Sequence, residues 1–388
     1  MDFNFTKAQR DIYETAGRIG REVLAPNARR HDEEASLPLD ALKILADEGF
    51  LKLTVPAAYG GLDSGAKGSD PLLYLLAIEQ LARYCHSTAH CLQVHSHGAH
   101  YVSLVGSAAQ KDEILGRVVA EGAILNGTGS EPGRSARGLY GLLTTADRVD
   151  GGYRISGTKN YATLADIAAY NIVFLRLRDV PSPEGHLGVA VPQGAEGFHI
   201  VEGTWNPIGM RGAVSPHLEL RDLFVADRYV LGPPGANPSI RYQAKCHLGF
   251  AAQFLGATEA LFDYLKAYLP ERGTAKDPYA QLRMGELRVG IEATRWIIYR
   301  AAWLWTQGDE TRAELAAMEA KHQAIENATI AMDRASQIAG SSAYLEGSPF
   351  ARIVRDLRFQ TLHENSDRTS STIGQAYLGQ SFDTTARL

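Results

Sequence analysis

The chain has 388 residues, too many for one ordinary core, so two or three structural units are expected. Hydrophobic residues make up 45% and charged residues 21%, the balance of a globular protein, and a net charge of -5 gives no electrostatic reason to bind nucleic acid. Three cysteines provide no disulfide framework and fit a reducing compartment, and no apolar run approaches the roughly 20 residues needed to cross a bilayer.

The opening MDFNFTKAQRDIYE carries acidic residues and no apolar stretch, so no secretory signal is expected and a cytoplasmic location is. From Thr6 to about Ala123 the pattern is helical. Thr6, with Gln9 three residues on, reads as an N-cap with its capping box. Ile12, Ala16, Ile19, Val23 and Leu24 then recur at helical spacing, and Pro26 lies near the end of the run. A second helix is expected near Leu39 to Glu48, ending at Gly49. A short extended piece leads into Gly60-Gly61, and helices follow near Pro71 to Tyr84, Ala89 to Val105 and Ala108 to Glu121.

Between Ile124 and Gly232 the period changes to two. YRISGTKNYAT, YNIVFLRL, HLGVAVP, FHIVEG and HLELRDLFV cluster or alternate β-branched and aromatic residues between turn residues, which predicts an antiparallel barrel or sandwich. After Pro233-Pro234 long helices are expected near Ser239 to Tyr268, Tyr279 to Gln307, Arg312 to Ile338 and from Pro349 onward, enough for a bundle. The expected fold class is α+β, mostly α. It comprises an N-terminal helical domain (1–123), a central β-barrel or sandwich domain (124–235) and a C-terminal four-helix bundle (236–388).

Near the end of the chain, His363, Glu364, Asn365 and Ser366 interrupt a helical run that begins at Phe350. A carboxylate at a helix break suits a general base, because burial can tune its basicity. The same carboxylate could simply cap the following helix. His86, His90, His95, His97 and His100 crowd one segment, and His86/His90 has the i, i+4 spacing of metal ligands. No HExxH pattern and no acidic residue accompanies them, so no metal is expected, and they read better as partly buried histidines lining a cavity.

Taken together these segments resemble the acyl-CoA dehydrogenase family over nearly the whole chain. Gln337, Arg355-Asp356 and His363-Glu364-Asn365-Ser366 fall in the order and near the spacing of the family's Gln…Gly-Gly, Arg-Asp and Tyr-Glu-Gly-Thr. LNGTGSEPG (125–133) resembles its Thr-Glu-Pro loop, KNYAT (159–163) its Lys-x-Trp-Ile-Thr, and WNPIGMRG (205–212) its Gly-Met-Arg scaffold segment. The resemblance implies FAD as cofactor and Glu364 as the base that removes a substrate α-proton. Thr128, Ser130, Tyr161, Thr163 and Ser366 would contact the flavin. Arg272 and Gln281 would reach the FAD of a neighbouring subunit and Gln337 and Gly340 would form its nucleotide-contacting turn; a shared FAD implies at least a dimer and, as is common in the family, a homotetramer. For Arg272 a pyrophosphate contact and a solvated helix-end arginine both remain open. The implied substrate is an acyl-CoA of fatty acid metabolism, and the implied redox partner is an electron-transfer flavoprotein or a flavin reductase.

Four departures point to a second reading. Asn365 replaces the glycine after the base, His363 the aromatic before it, Ser135-Ala136-Arg137 a Gly-Ser-Asp, and His247 an arginine common in the dehydrogenases. Cys246 stands where a minority of the family places its base. These changes, with the histidine-rich segment, also suit the two-component flavin monooxygenases that share the fold. His90, His95, His247 and His363 are the expected substrate-pocket histidines under either reading.

Overall fold

The computed structural model describes residues 4–133 and 140–385. Helix α1 (Lys7–Ile19) starts at the expected capping box: Gln9 N donates to Thr6 Oγ1 at 3.2 Å and Thr6 N to Gln9 Oε1 at 2.9 Å. A π-turn over Gly20–Leu24 then leads into α2 (Ala25–Glu34). Gly20 is required there, because a Cβ would fall inside the ring of Tyr84. Helix α3 (Leu39–Asp47) is followed by the hairpin of α4 (Pro71–Tyr84) and α5 (His86–Val105), joined at Cys85 alone. The stretch expected as one helix to Glu121 is instead α6 (Ala108–Gln110), a second π-turn and α7 (Gly116–Glu121).

Among the described residues eight strands form one sheet: β1 (Leu125–Thr128), β2 (Thr145–Val149), β3 (Gly152–Lys159), β4 (Tyr170–Leu177), β5 (His186–Pro192), β6 (Phe198–Val201), β7 (His217–Ala226) and β8 (Val230–Leu231). The order is β6-β7-β3-β2-β4-β5-β8, with β1 also on β4. Most pairs are antiparallel as expected, but β1 and β2 both run parallel to β4, so the sheet is mixed. Strand β4 is buried on both faces. Val173 and Leu175 enter the sheet's own core with Leu187 and Val189, while Ile172 and Phe174 pack on the helices, where Phe174 meets Tyr101 of α5 edge-on.

The bundle contains α8 (Ala236–Ser239), α9 (Tyr242–Lys245), α10 (His247–Glu271), α11 (Pro278–Trp305), α12 (Glu310–Ala339), α13 (Pro349–Thr361) and α14 (Ser366–Tyr377). The helix expected from Ser239 is broken because Arg241 takes a left-handed conformation (φ 52°). Every residue from Ala244 to Leu261 is buried, which makes α10 the axis between the N-terminal helices and the bundle. Its small residues allow close approach. A Cβ on Gly256 would strike the Glu79 carbonyl of α4 at 2.1 Å.

Candidate active site

Glu364 lies in the break between α13 and α14, but it does not cap α14. Asn365 does that, its Oδ1 accepting from Arg368 N at 3.0 Å. The Glu364 side chain, only 4% exposed, turns inward, accepts from Thr369 Oγ1 at 2.6 Å and forms an ion pair with Lys321 of α12. Burial pushes its carboxyl up, yet the charges of Lys321 and His247 and the hydrogen bonds from Lys321 and Thr369 outweigh burial and hold it at about 2. Lys321 itself is buried, with its ammonium 4.9 Å from the centre of the Phe250 ring. Phe250 of α10 stacks on His363 with ring centroids 4.5 Å apart. His247, one turn away on α10, reaches the Thr384 carbonyl at 2.9 Å and anchors the C-terminal segment beside the carboxylate.

The second group comes from the sheet loops. Thr128 ends β1 buried, with no hydrogen-bond partner for its Oγ1. The Ser130 carbonyl accepts from Asn160 N at 3.0 Å, tying the loop after β1 to the loop after β3. Beneath them Lys159 and Glu131 form a buried pair at 2.8 Å. Glu131 also accepts from the amides of Leu143 and Thr144. Burial raises the Glu131 carboxyl, and the Lys159 charge with these hydrogen bonds brings it down to about 2. Tyr161 adopts a positive φ of 54° and is 55% exposed, its ring edge-on to Trp205, which is in turn edge-on to Phe359 of α13. Thr163 Oγ1 lies 2.7 Å from Ser215 Oγ and 3.5 Å from His90 Nε2.

His90 joins the two groups. Its Nδ1 is 3.4 Å from both Gln253 of α10 and Gln360 of α13, and His86 reaches Gln253 at 3.1 Å. Burial lowers His90 to about 4 and His86 to about 3, so both rings are neutral at pH 7. His95, expected in the pocket, belongs elsewhere. Its Nε2 meets the Leu51 carbonyl at 2.7 Å and its Nδ1 accepts from Leu125 N at 3.0 Å, so both ring nitrogens are engaged with backbone on the far side of α5. Among the described residues no group of three or more His, Cys, Asp and Glu side chains gathers as a metal site.

Arg272, Gln281, Gln337 and Gly340 are exposed at one end of the bundle, where the Arg334–Glu286 pair registers the end of α12 against the start of α11. Gln337 is sixteen residues beyond Lys321 on α12, about 24 Å along the axis. Gln337 therefore stands apart from Lys321 and the Glu364 carboxylate paired with it. Ser366 opens α14 next to the base. The Ser135-Ala136-Arg137 departure lies outside the described residues.

Sequence reasoning missed Lys321, Phe250, Gln253, Gln360 and Trp205. Lys321 had a signal: it interrupts the alanine-rich buried face of Ala313, Ala316, Ala317, Ala320 and Ala324, where a lysine requires a partner. The orphaned Thr128 hydroxyl at the end of β1, with the exposed Tyr161 and the Thr163 hydroxyl after β3, fit the edge and face of a flavin ring system.

Three family models cover most of the chain: acyl-CoA dehydrogenase N-terminal domain over residues 6–122, middle domain over 128–223 and C-terminal domain over 247–371. The chain belongs to the acyl-CoA dehydrogenase family. It is a flavin-dependent oxidoreductase, and its cofactor is FAD. It is 27% identical to the short-chain-specific acyl-CoA dehydrogenase of Clostridium acetobutylicum, over 96% of this chain and 98% of that one. The solved butyryl-CoA dehydrogenase of Megasphaera elsdenii superposes with a TM-score of 0.88 at 27% identity, covering 97% of this chain and 100% of its own. The structure of PigA with FAD and proline shares the fold, with a TM-score of 0.86 at 24% identity over 98% of this chain and 99% of that one. No helix among the described residues is long and apolar enough to cross a membrane.

Proposed function

We propose that this protein is an acyl-CoA dehydrogenase that introduces an α,β double bond into an acyl thioester, with Glu364 as the base. The observation that carries the reading is a buried, ionised carboxylate at the break after α13, the helix whose Gln360 reaches His90 beside Thr163 of the flavin-fitting loops. When bound, FAD supplies the acceptor for the hydride leaving the substrate β-carbon. Glu364 takes the α-proton on its carboxylate as the Cα–H electron pair becomes the new C=C bond. The Glu364 amide donates to no acceptor among the described residues and is available to the thioester carbonyl, polarising it as the α-carbon loses its proton. Lys321 and Thr369 keep the carboxylate ionised, the only form that can accept a proton. Thr128, Ser130, Tyr161 and Thr163 would hold the flavin, and Ser366, which opens α14 beside the base, would contact it as well.

Arg272, Gln281, Gln337 and Gly340 serve the FAD of a second copy. Leu282, Val289, Trp296 and Trp303 support this assembly, because these exposed apolar residues of α11 recur every seventh position, the seam of a helix–helix contact. The proposed assembly is a homotetramer with domain boundaries near 123/124 and 235/236. Its electrons pass to an electron-transfer flavoprotein, and its place is fatty acid metabolism in the cytoplasm. The three cysteines, all buried and none in a disulfide, fit that compartment.

A second reading, a two-component flavin monooxygenase, draws on one contact. His90, a proton-handling group, lies against Thr163 on the flavin side of the cleft. Anaerobic titration with a panel of acyl-CoAs separates the two. Bleaching of bound FAD supports the dehydrogenase. No bleaching, with oxygen uptake only when a flavin reductase is added, overturns it.

A further inference from the structure

Two buried side chains, Tyr74 and Gln93, have hydrogen-bonding groups that find no partner among the described residues. They lie on α4 and α5, which meet α10. His86, His90, Gln93 and His97 lie at spacings of four, three and four residues on one face of α5. Three of these positions meet α10: His86 and His90 bond Gln253, and His97 lies 5.7 Å from the Phe250 ring. Gln93 shares that face, is fully buried, and finds no partner for either its amide nitrogen or its oxygen. The hydroxyl of Tyr74, from α4, is also buried and without a partner. It converges with His97 Nε2 over Gly249 of α10, where a Cβ would stand 2.5 Å from the hydroxyl and 2.9 Å from the ring nitrogen. Phe250, the next residue, stacks on His363, which precedes Glu364. The orphaned Tyr74 hydroxyl thus lies over the residue that precedes the contact framing the base.

A buried amide or hydroxyl left unpaired costs free energy, and a hydrocarbon chain cannot supply the missing bonds. We infer that the acyl group of the substrate carries a neutral hydrogen-bonding substituent, of which a hydroxyl is the simplest, received by Tyr74 and Gln93 where α4, α5 and α10 meet. This inference rests on the acyl-thioester reading and specifies its substrate class. Neither Tyr74 nor Gln93 touches the reacting carbons. Both set specificity.

The test compares 4-hydroxybutanoyl-CoA with pentanoyl-CoA, which differ by a hydroxyl in place of a terminal methyl. Anaerobic flavin reduction should favour the hydroxylated thioester about tenfold or more in the ratio of rate to dissociation constant. Tyr74→Phe and Gln93→Leu, both close in volume, should each bring that preference towards one. Pentanoyl-CoA reducing the flavin as efficiently as its partner, or a preference unchanged in both variants, overturns the inference and leaves the dehydrogenase reading intact. If neither thioester reduces the flavin, that reading falls, and calorimetric dissociation constants for the same two compounds still decide: tighter binding of the hydroxylated one supports the polar site, equal or weaker binding overturns it.

Discussion

Replacing Lys321 with methionine keeps the length and apolar stem of the side chain and removes the charge that Glu364 faces. Holding the Glu364 carboxyl at about 2 instead of its ordinary 4.5 corresponds to roughly 3 kcal/mol in favour of the ionised form. Because the folded value is depressed, this contribution is fully present above about pH 4.5 and is lost as the pH falls towards 2. Without Lys321, burial acts on the carboxyl with less opposition and its pKa rises. Breaking a buried pair by removing one partner typically costs about 3 to 5 kcal/mol at neutral pH, so the variant should melt well below the wild type. Stopped-flow reduction of the bound flavin by an acyl-CoA, measured from about pH 5 to 8, reads the catalytic side of the same change. The wild type should show no acidic limb from Glu364 in that range, whereas Lys321→Met should lose rate as the pH falls through its raised carboxyl pKa. Superimposable pH profiles with an unchanged melting temperature would refute the argument that Lys321 sets the state of this carboxylate.

Lys159→Met should leave Glu131 charged and buried beneath the flavin loops, lowering stability by about 3 kcal/mol or more and weakening FAD retention on gel filtration; retention equal to wild type would show that the pair does not support those loops. Trp296→Glu places a charge in the exposed heptad of α11 and should shift the light-scattering mass towards a smaller species, while an unchanged mass would move the interface elsewhere. Thermal scans should show stability falling as the pH drops below 6.5, because His86, His90, His95 and His100 are all held neutral by burial and must be protonated in the unfolded chain. Flat melting temperatures between about pH 6.5 and 5 would contradict their burial.

The capping box at Thr6, the change of period at Ile124 and the return to helix after Pro233-Pro234 made the three-part architecture legible, because each is a local signal with a local cause. The mixed sheet was not, since the parallel pairing of β1 and β2 with β4 is a long-range choice that alternation alone does not encode. Arg241 could not be read as a helix break because a left-handed arginine has no compositional mark. At the site, Glu364 and the loops after β1 and β3 drew notice through their motifs. Their supports did not. Lys321, Gln253 and Gln360 come from three different helices and meet only after those helices pack, and the division of labour between His90 in the cleft and His95 on the backbone depends on which face of α5 each occupies.

Glu364→Gln, purified with its FAD and titrated anaerobically with the acyl-CoA that best bleaches the wild type, bears most directly on the central claim. The amide should retain the flavin and bind the thioester, seen as a perturbed flavin spectrum, with no bleaching over the time in which the wild type is fully reduced. Bleaching of the variant at the wild-type rate would contradict the assignment of Glu364 as the base.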